Sequence, residues 1–493
     1  MEVTIMEMKS QTKHLTKKQY LTLGSMLFAL FFGAGNLIFP IHLGQAAGGN
    51  WIPATFGFII TAILLPLLAI LAISMTESDS MYQLARPAGK IFALFFLIAT
   101  HATLGLLFAS PRTAATSFEI GILPFIPKGS EQISLLIYSA IFFGLTYFLS
   151  KNPDKMPNYV GKLLNPLLLI LLIAVFIAAF LIKGDGSTLA AATHATKAGS
   201  NFTYGFLQGY NTMDALAGLG FGVTIVAALK HFGILKAGQR SSDVAKVGAL
   251  SMGLEALIYL GLIMLGVISL QFTKVYSNGG PAFSAIMTHY TGIIGTGILA
   301  AMAIIACLTT SIGLVTSFSQ DLGRRFPKIG FGKFLLFTCS CSFLIANFGL
   351  DTIIALSTPI LMLLYPLAMA MILLGMLHPF IGKQRTVYRT TVGLTLIPAI
   401  LDAIHALPPF LANMSFFKTI DAFATRYIPM FTISMDFVPF LAAGLIGGIL
   451  IAKLSGQSFK TDDTAERAIE EREDSANPTS TTANSSEMSA TND

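Results

Sequence analysis

Two short stretches hold the polar groups that this sequence can least easily place. Gly33-Ala34-Gly35-Asn36 interrupts an apolar run from Tyr20 to Ala47, and Gly209-Tyr210-Asn211-Thr212-Met213-Asp214 interrupts another over 203–229. Neither offers a nucleophile–base set or a metal-ligand spacing. What they offer is free backbone. Each glycine lowers helix propensity by roughly 1 kcal/mol relative to alanine. In hydrocarbon, broken backbone persists only where it lines a cavity or is packed in protein. Freed amides at the start of a half-helix suit a carboxylate, and freed carbonyls at the end of one suit a cation. The competing reading is a packing face of small residues between helices. Asp214 favours a site, because an ionised Asp at the centre of a spanning helix costs about 2.5–3.5 kcal/mol and needs a partner.

Further candidates surround these two. Cys307-Leu308-Thr309-Thr310-Ser311 puts hydroxyls in the run 293–321. Hydroxyls are hard oxygen ligands suited to Na⁺, although Ser and Thr in helices also bond back to the i−4 carbonyl. Arg112, after Pro111, is the one Lys or Arg left inside an apolar run away from its first residues. Its expected partner is Glu119, in an outer gate, or Asp214, or the carboxylate of a substrate. Glu255 is isolated in the run 245–271 and reads as a proton-coupling group or a partner of Arg112. His101 and His289 read as packing residues.

The elements that must position these groups follow from composition. Hydrophobic residues make up 54% of the 493 and charged residues 11%, with a mean hydropathy of +0.71. Soluble domains carry about 25% charged residues, so an all-α polytopic membrane protein is expected. About twelve apolar runs are long enough to span: 20–47, 52–76, 91–119, 131–150, 160–182, 203–229, 245–271, 293–321, 334–349, 352–377, 387–405 and 430–452. The chain then divides into an N-terminal segment 1–18, a transmembrane domain 19–453 and a disordered polar tail 454–493. Basic residues mark the cytoplasmic loops. The two termini and alternate loops hold 24 of the 31 Lys and Arg, and the opposite loops hold six. Both termini are therefore expected in the cytoplasm, and the basic balance calls for no nucleic-acid partner. The interrupted runs are the first and the sixth. Five is an odd number of spans, so a five-span repeat enters the membrane from the opposite side. Paired breaks in two inverted halves point to a transporter site near the midplane.

No phosphate loop is present, since each Gly-Lys pair is followed by Ile, Leu, Phe or Gln. An ATP-driven pump is thus disfavoured. A membrane enzyme would need a motif such as His-Glu-x-x-His, which is absent. A channel would need a pore ring rather than an alternating site.

Phe32-Gly33-Ala34-Gly35-Asn36-Leu37-Ile38-Phe39-Pro40 resembles the first-helix signature of the bacterial branched-chain amino acid:cation symporters. Pro111-Arg112-Thr113-Ala114 and Gly209-Tyr210-Asn211-Thr212-Met213-Asp214-Ala215-Leu216-Ala217 resemble further blocks of that family, over about Lys18 to Lys453. The resemblance implies import of leucine, isoleucine and valine across the bacterial cytoplasmic membrane, driven by Na⁺ or H⁺, with no other cofactor and no enzymatic activity. It also implies a LeuT-type 5+5 inverted repeat with helices 1 and 6 broken and two peripheral helices added. In that architecture Gly33, Ala34, Gly35, Asn36, Tyr210, Thr212, Met213 and Asp214 hold the substrate. The carbonyls of Ala29 and Phe32 with Thr310-Ser311 hold Na⁺, and Arg112, Glu119 and Glu255 serve gating or coupling. The alternative on the same fold is another small zwitterionic or nucleobase-like solute.

Overall fold

The computed structural model describes residues 15–151, 165–177, 202–234 and 237–457. Most of the predicted N-terminal segment, the tail from 458, and Lys155, Lys162, Lys183, Lys197 and Lys236 lie outside the described residues. Every regular element among the described residues is helical.

The first apolar run is two helices, α1 (Lys17–Phe31) and α2 (Ala34–Ala47). A capping box opens α1: the Gln19 amide donates to Thr16 Oγ1 at 3.3 Å, and the Thr16 amide donates to Gln19 Oε1 at 2.8 Å. Such reciprocal bonds satisfy two otherwise orphaned amides. Phe32 leaves helical geometry at ψ 97°, Gly33 is extended, and α2 begins one residue later. Next come α3 (Trp51–Ile59) and α4 (Leu65–Met75), continuous through a π-helical turn at Ile60–Leu64. A second π-helical turn, Ala102–Leu107, joins α5 (Lys90–His101) to α6 (Ala109–Gly121), with Phe108 between. These are followed by α7 (Glu131–Ser150) and α8 (Asn165–Ile177).

The second break separates α9 (Phe202–Gln208) from α10 (Asp214–His231). The two halves are bent by 48° about the 3₁₀ turn Gly209–Thr212 and Met213. The chain continues through α11 (Ala237–Ser269) and α12 (Gly279–Arg325), which leaves helical geometry at Gly292. It ends with α13 (Phe331–Ala346), α14 (Leu350–Met376), α15 (Arg385–His405), α16 (Ser415–Tyr427) and α17 (Phe437–Leu454).

Each of the twelve predicted runs holds helix. Eight helical stretches among the described residues are long and apolar enough to cross a membrane, or nine if the bent pair α9–α10 is one span. The protein is thus a multi-pass membrane protein. Close backbone approach sets the frame around the breaks. A Cβ on Gly44 of α2 would fall 2.1 Å from the Ile263 carbonyl of α11, and one on Gly205 of α9 would fall 1.8 Å from the Ala54 carbonyl of α3. Small residues let membrane helices touch in this way. The α2–α11 contact brings the first break against the middle of α11. α6 packs along α12, while α15 packs on α14 and α17.

Candidate functional site

The break in the first run rearranges hydrogen bonds in a specific way. In a continuous helix the Gly33 amide would meet the Ala29 carbonyl. Here it donates to Asn36 Oδ1 at 3.2 Å, so the Ala29 carbonyl is released from that bond. Asn36 is the third residue of α2 and reaches back to cap it, as the acceptor half of a capping box does. That bond also fixes the orientation of the amide group, leaving Nδ2 to point elsewhere.

At the second break, Met213 is left-handed at φ 63° and its amide donates to the Tyr210 carbonyl at 3.0 Å. A non-glycine residue there costs roughly 1–2 kcal/mol and marks backbone held in place by its surroundings. The Thr212 hydroxyl donates to the Gly209 carbonyl at 2.9 Å and accepts from the Asp214 amide at 3.3 Å. Asp214 therefore opens α10 in its first turn, where the N-terminal amides favour negative charge.

The two breaks meet. Asn36 Nδ2 donates to Asp214 Oδ2 at 2.9 Å and to Glu255 Oε1 at 2.8 Å, and it also contacts the Tyr259 hydroxyl. Tyr259, one turn beyond Glu255 on α11, lies with its hydroxyl 3.1 Å from Asp214 Oδ2 and 2.8 Å from Glu255 Oε1. All four side chains are buried, Glu255 completely. The two carboxyls share one amide nitrogen, so their bonded oxygens lie within about 6 Å; two like charges so placed repel by about 3 kcal/mol at an effective dielectric constant of 20.

Beside this cluster a cavity of about 40 Å³ opens between the breaks, α6 and α12. Its polar lining includes Gly33, Gly35, Asn36, Arg112, Thr212 and Asp214, with Thr113 and Thr310 completing it. Its apolar lining includes Leu30, Phe31, Leu104, Ala217, Phe221 and Leu314. The buried Arg112 guanidinium lies over the Phe39 ring, 4.9 Å from its centroid, and Nη1 has no hydrogen-bond partner. A Cβ on Gly35 would approach Arg112 Nη2 to 3.0 Å. The cavity thus has a cationic wall, whose charge acts on Asp214 at a helix N-terminus, and an apolar remainder.

The structure sorts the expected residues. Gly33, Gly35, Asn36, Thr212, Met213, Asp214, Arg112 and Thr310 line the cavity. Ala34 begins α2. Tyr210 lies in the second break, and its ring stacks on Tyr365 of α14 at 4.1 Å between centroids. The expected gate of Arg112 with Glu119 is a correction. Glu119 instead accepts from Asn278 Nδ2 at 3.1 Å, and the same nitrogen donates to Asp351 Oδ1 at 2.7 Å. No ion pair joins Arg112 to Glu119 or to Glu255 among the described residues. Glu255 belongs instead to the cluster with Asn36 and Tyr259. Thr310 Oγ1 lies 2.9 Å from where a Gly33 Cβ would be, and its hydroxyl donates to the Ala306 carbonyl. Ser311 points away, with its hydroxyl 3.2 Å from Ser110 Oγ on α6. Ala29 and Phe32 would contribute only carbonyls, and the Phe32 ring stacks on Phe28. His101 pairs with Asp321 at 2.8 Å. Sequence reasoning missed Tyr259, whose i+4 spacing from Glu255 was the available signal, and the apolar lining, which had none.

Comparison with known proteins bears on what this arrangement belongs to. The family model described as branched-chain amino acid transport protein matches residues 16–455. The chain is 39% identical over 440 residues to the branched-chain amino acid permease BraB of Bacillus subtilis, covering 89% of this chain and 97% of that protein. It is 39% identical over 396 residues to the branched-chain amino acid permease BrnQ of Lactobacillus delbrueckii subsp. lactis, covering 80% and 89%. A solved structure of a mutant Eremococcus coleocola manganese transporter superposes with a TM-score of 0.56 at 12% identity, covering 90% of this chain and 99% of that one. This likeness is one of fold. The chain belongs to the branched-chain amino acid transport protein family, whose named relatives are permeases rather than enzymes.

Proposed function

We propose that this family member is a secondary symporter that imports leucine, isoleucine and valine across the bacterial cytoplasmic membrane by alternating access, coupled to Na⁺ or H⁺. The observation that carries the reading is the cavity between the two breaks. A zwitterion with an apolar side chain needs a cation for its carboxylate, an acid for its ammonium and an apolar wall. Arg112, Asp214 and the Leu30–Phe31–Phe221 side supply these in one enclosure. Arg112, with Nη1 unpaired and Nη2 close to Gly35, is the counter-charge of the substrate carboxylate. Backbone at Gly33, Ala34, Gly35, Thr212 and Met213 completes the polar contacts, while the Tyr210 ring stacks on Tyr365 of α14. The LeuT-type 5+5 arrangement with twelve spans fits the two breaks five runs apart. The 24-to-6 distribution of basic residues favours cytoplasmic termini.

For Na⁺, Thr310 stands against Gly33 at the first break, where the carbonyls of Ala29 and Phe32 would join it; Ser311 would have to leave Ser110 to do so. A cation there supplies positive charge against freed carbonyls. The chain's own contribution is to hold α1 and α2 at a fixed angle to α12. Glu119, linked through Asn278 to Asp351, closes the far end of α6 against α12 and α14 and would open with the gate.

The test is uptake of radiolabelled leucine into proteoliposomes under separately imposed Na⁺ and H⁺ gradients. Concentrative uptake that collapses with the gradient, and competition by isoleucine and valine, is the expected result. Uptake that never exceeds equilibration would indicate a channel. Indifference to branched-chain competitors would remove the substrate assignment.

A further inference from the structure

We propose that Glu255 is the proton-carrying member of the buried carboxyl pair, and that Asn36 transmits its protonation state to the break in the first run. The inference rests on the reading of the chain as a cation-coupled carrier and assigns the residue that a proton would use.

The geometry favours a proton over a metal ion at this cluster. A metal ion bridging Asp214 and Glu255 would occupy the space between them. That space holds the amide nitrogen of Asn36, 2.9 and 2.8 Å from the two carboxyls. Because Oδ1 is taken by the Gly33 amide, the group facing the acids is a donor, which repels a metal cation. A proton on one carboxyl relieves the repulsion between the pair without displacing Asn36.

Glu255 is the member that takes it. Asp214 lies in the first turn of α10 and accepts from Asn36, with the Tyr259 hydroxyl also in reach. Glu255 lies mid-helix in α11, far from either terminus, fully buried, with Oε2 lacking any hydrogen-bond partner. A protonated oxygen is cheaper to leave there than a charged one. The groups facing Glu255 are Asp214 from α10, Asn36 from α2 and Tyr259 from α11 itself. The other charged contacts of α11 among the described residues lie toward its ends. Tyr20 of α1 bonds Asp243 at 2.5 Å and Glu77 bonds Arg240 at 2.8 Å near its start, while His289 of α12 stacks on Phe272 just past its end. Arg112 lies over Phe39 and forms no hydrogen bond to the pair, but its charge acts on Asp214.

Asn36 connects the pair to the break because its two ends do different things. Oδ1 holds the Gly33 amide and Nδ2 holds both acids. Loss of the Glu255 proton restores two negative charges around Nδ2 and draws α2 toward α11. One proton enters from water on the uptake side and one leaves to water on the other side per cycle, with no covalent change.

The experiment uses the full chain in proteoliposomes enclosing a pH-sensitive dye, with labelled leucine. In the wild type, leucine entry should acidify the lumen and an acid-outside gradient should drive accumulation. Glu255→Gln, a mimic of the protonated acid, should keep leucine–leucine counterflow but lose leucine-linked acidification, with gradient-driven accumulation falling about tenfold or more, the loss expected if one proton is no longer thermodynamically linked. Acidification that persists in Glu255→Gln overturns the proposal, as does wild-type accumulation on Na⁺ alone without proton movement. Absence of leucine counterflow in the wild type would instead overturn the substrate reading. If Glu255→Gln yields no folded carrier, Tyr259→Phe decides. It removes one donor to the pair and should move the pH profile of uptake toward alkaline by about half a unit to one unit. An unmoved profile overturns the proposal.

Discussion

Replacing Arg112 by Met should weaken leucine binding strongly while leaving the empty protein about as stable as before. The two effects come from the same geometry. In the empty protein the guanidinium is buried, rests on Phe39 and leaves Nη1 without a partner. A buried donor left unpaired costs about 1–3 kcal/mol, and a cation over an aromatic face returns about 0.5–2 kcal/mol. Met fills most of the same volume without the charge, so the net change in stability is near zero or favourable. Leucine binding loses a charge-assisted hydrogen bond worth about 1.5–3 kcal/mol, which is about a 10- to 150-fold rise in Kd.

The assay pairs two readouts in detergent: equilibrium binding of labelled leucine, and melting temperature with and without leucine. Ligand at 100 times Kd stabilises the folded state by about 2.7 kcal/mol, so the wild type should show a clear leucine-induced rise and Arg112→Met should lose most of it at the same concentration. Leucinol, which lacks the carboxylate, should bind the two proteins alike. If Arg112 were instead half of a structural ion pair, removing it would destabilise the empty protein by about 3–5 kcal/mol. A lowered melting temperature with leucine affinity preserved would refute the assignment.

Three further outcomes follow from particular contacts. Gly35→Ala places a methyl 3.0 Å from Arg112 Nη2 and 3.1 Å from the Phe39 ring; leucine affinity should fall about tenfold or more as the guanidinium is displaced, with expression and melting little changed. Thr310→Ala should raise the Na⁺ concentration for half-maximal leucine uptake about tenfold, the loss of one charge-assisted ligand, whereas Ser311→Ala, whose hydroxyl faces Ser110, should change it less; equal effects would count against the placement of Ser311. Gly205→Ala drives a methyl to 1.8 Å from the Ala54 carbonyl and should lower stability by about 1–3 kcal/mol, while Gly297→Ala, which meets nothing within 4 Å, should not; melting curves of both variants check this.

The parts of the site legible in the sequence are those where polarity conflicts with hydrocarbon. Asn36, Asp214, Arg112 and Glu255 stand out because each is expensive where hydropathy places it, and all four lie in or beside the cavity. Expense marks a residue without naming its partner. Arg112 and Glu119 lie seven positions apart, about two helical turns, and that spacing suggested a pair. Within one helix, though, such spacing says nothing about side chains arriving from other chain segments, and Asn278, which also donates to Asp351, brings Glu119 its bond. Thr310-Ser311 shows the same limit on a smaller scale. Adjacent residues on a helix point about 100° apart, so one can face the break while its neighbour faces α6. Tyr210 shows the reverse case. Its position inside the break made its backbone a candidate, while its ring stacks on Tyr365 of α14. The apolar wall was least legible, because Leu30, Leu104 and Leu314 resemble every other leucine until the π-helical turn and the two breaks leave them facing space. What selects them is the backbone's departure from regular helix, and the glycines announced that departure without fixing its direction. The direction comes from Asn36. By satisfying Gly33 with one end and two acids with the other, a single amide sets the angle between the halves of the first run and ties that angle to charge on α10 and α11.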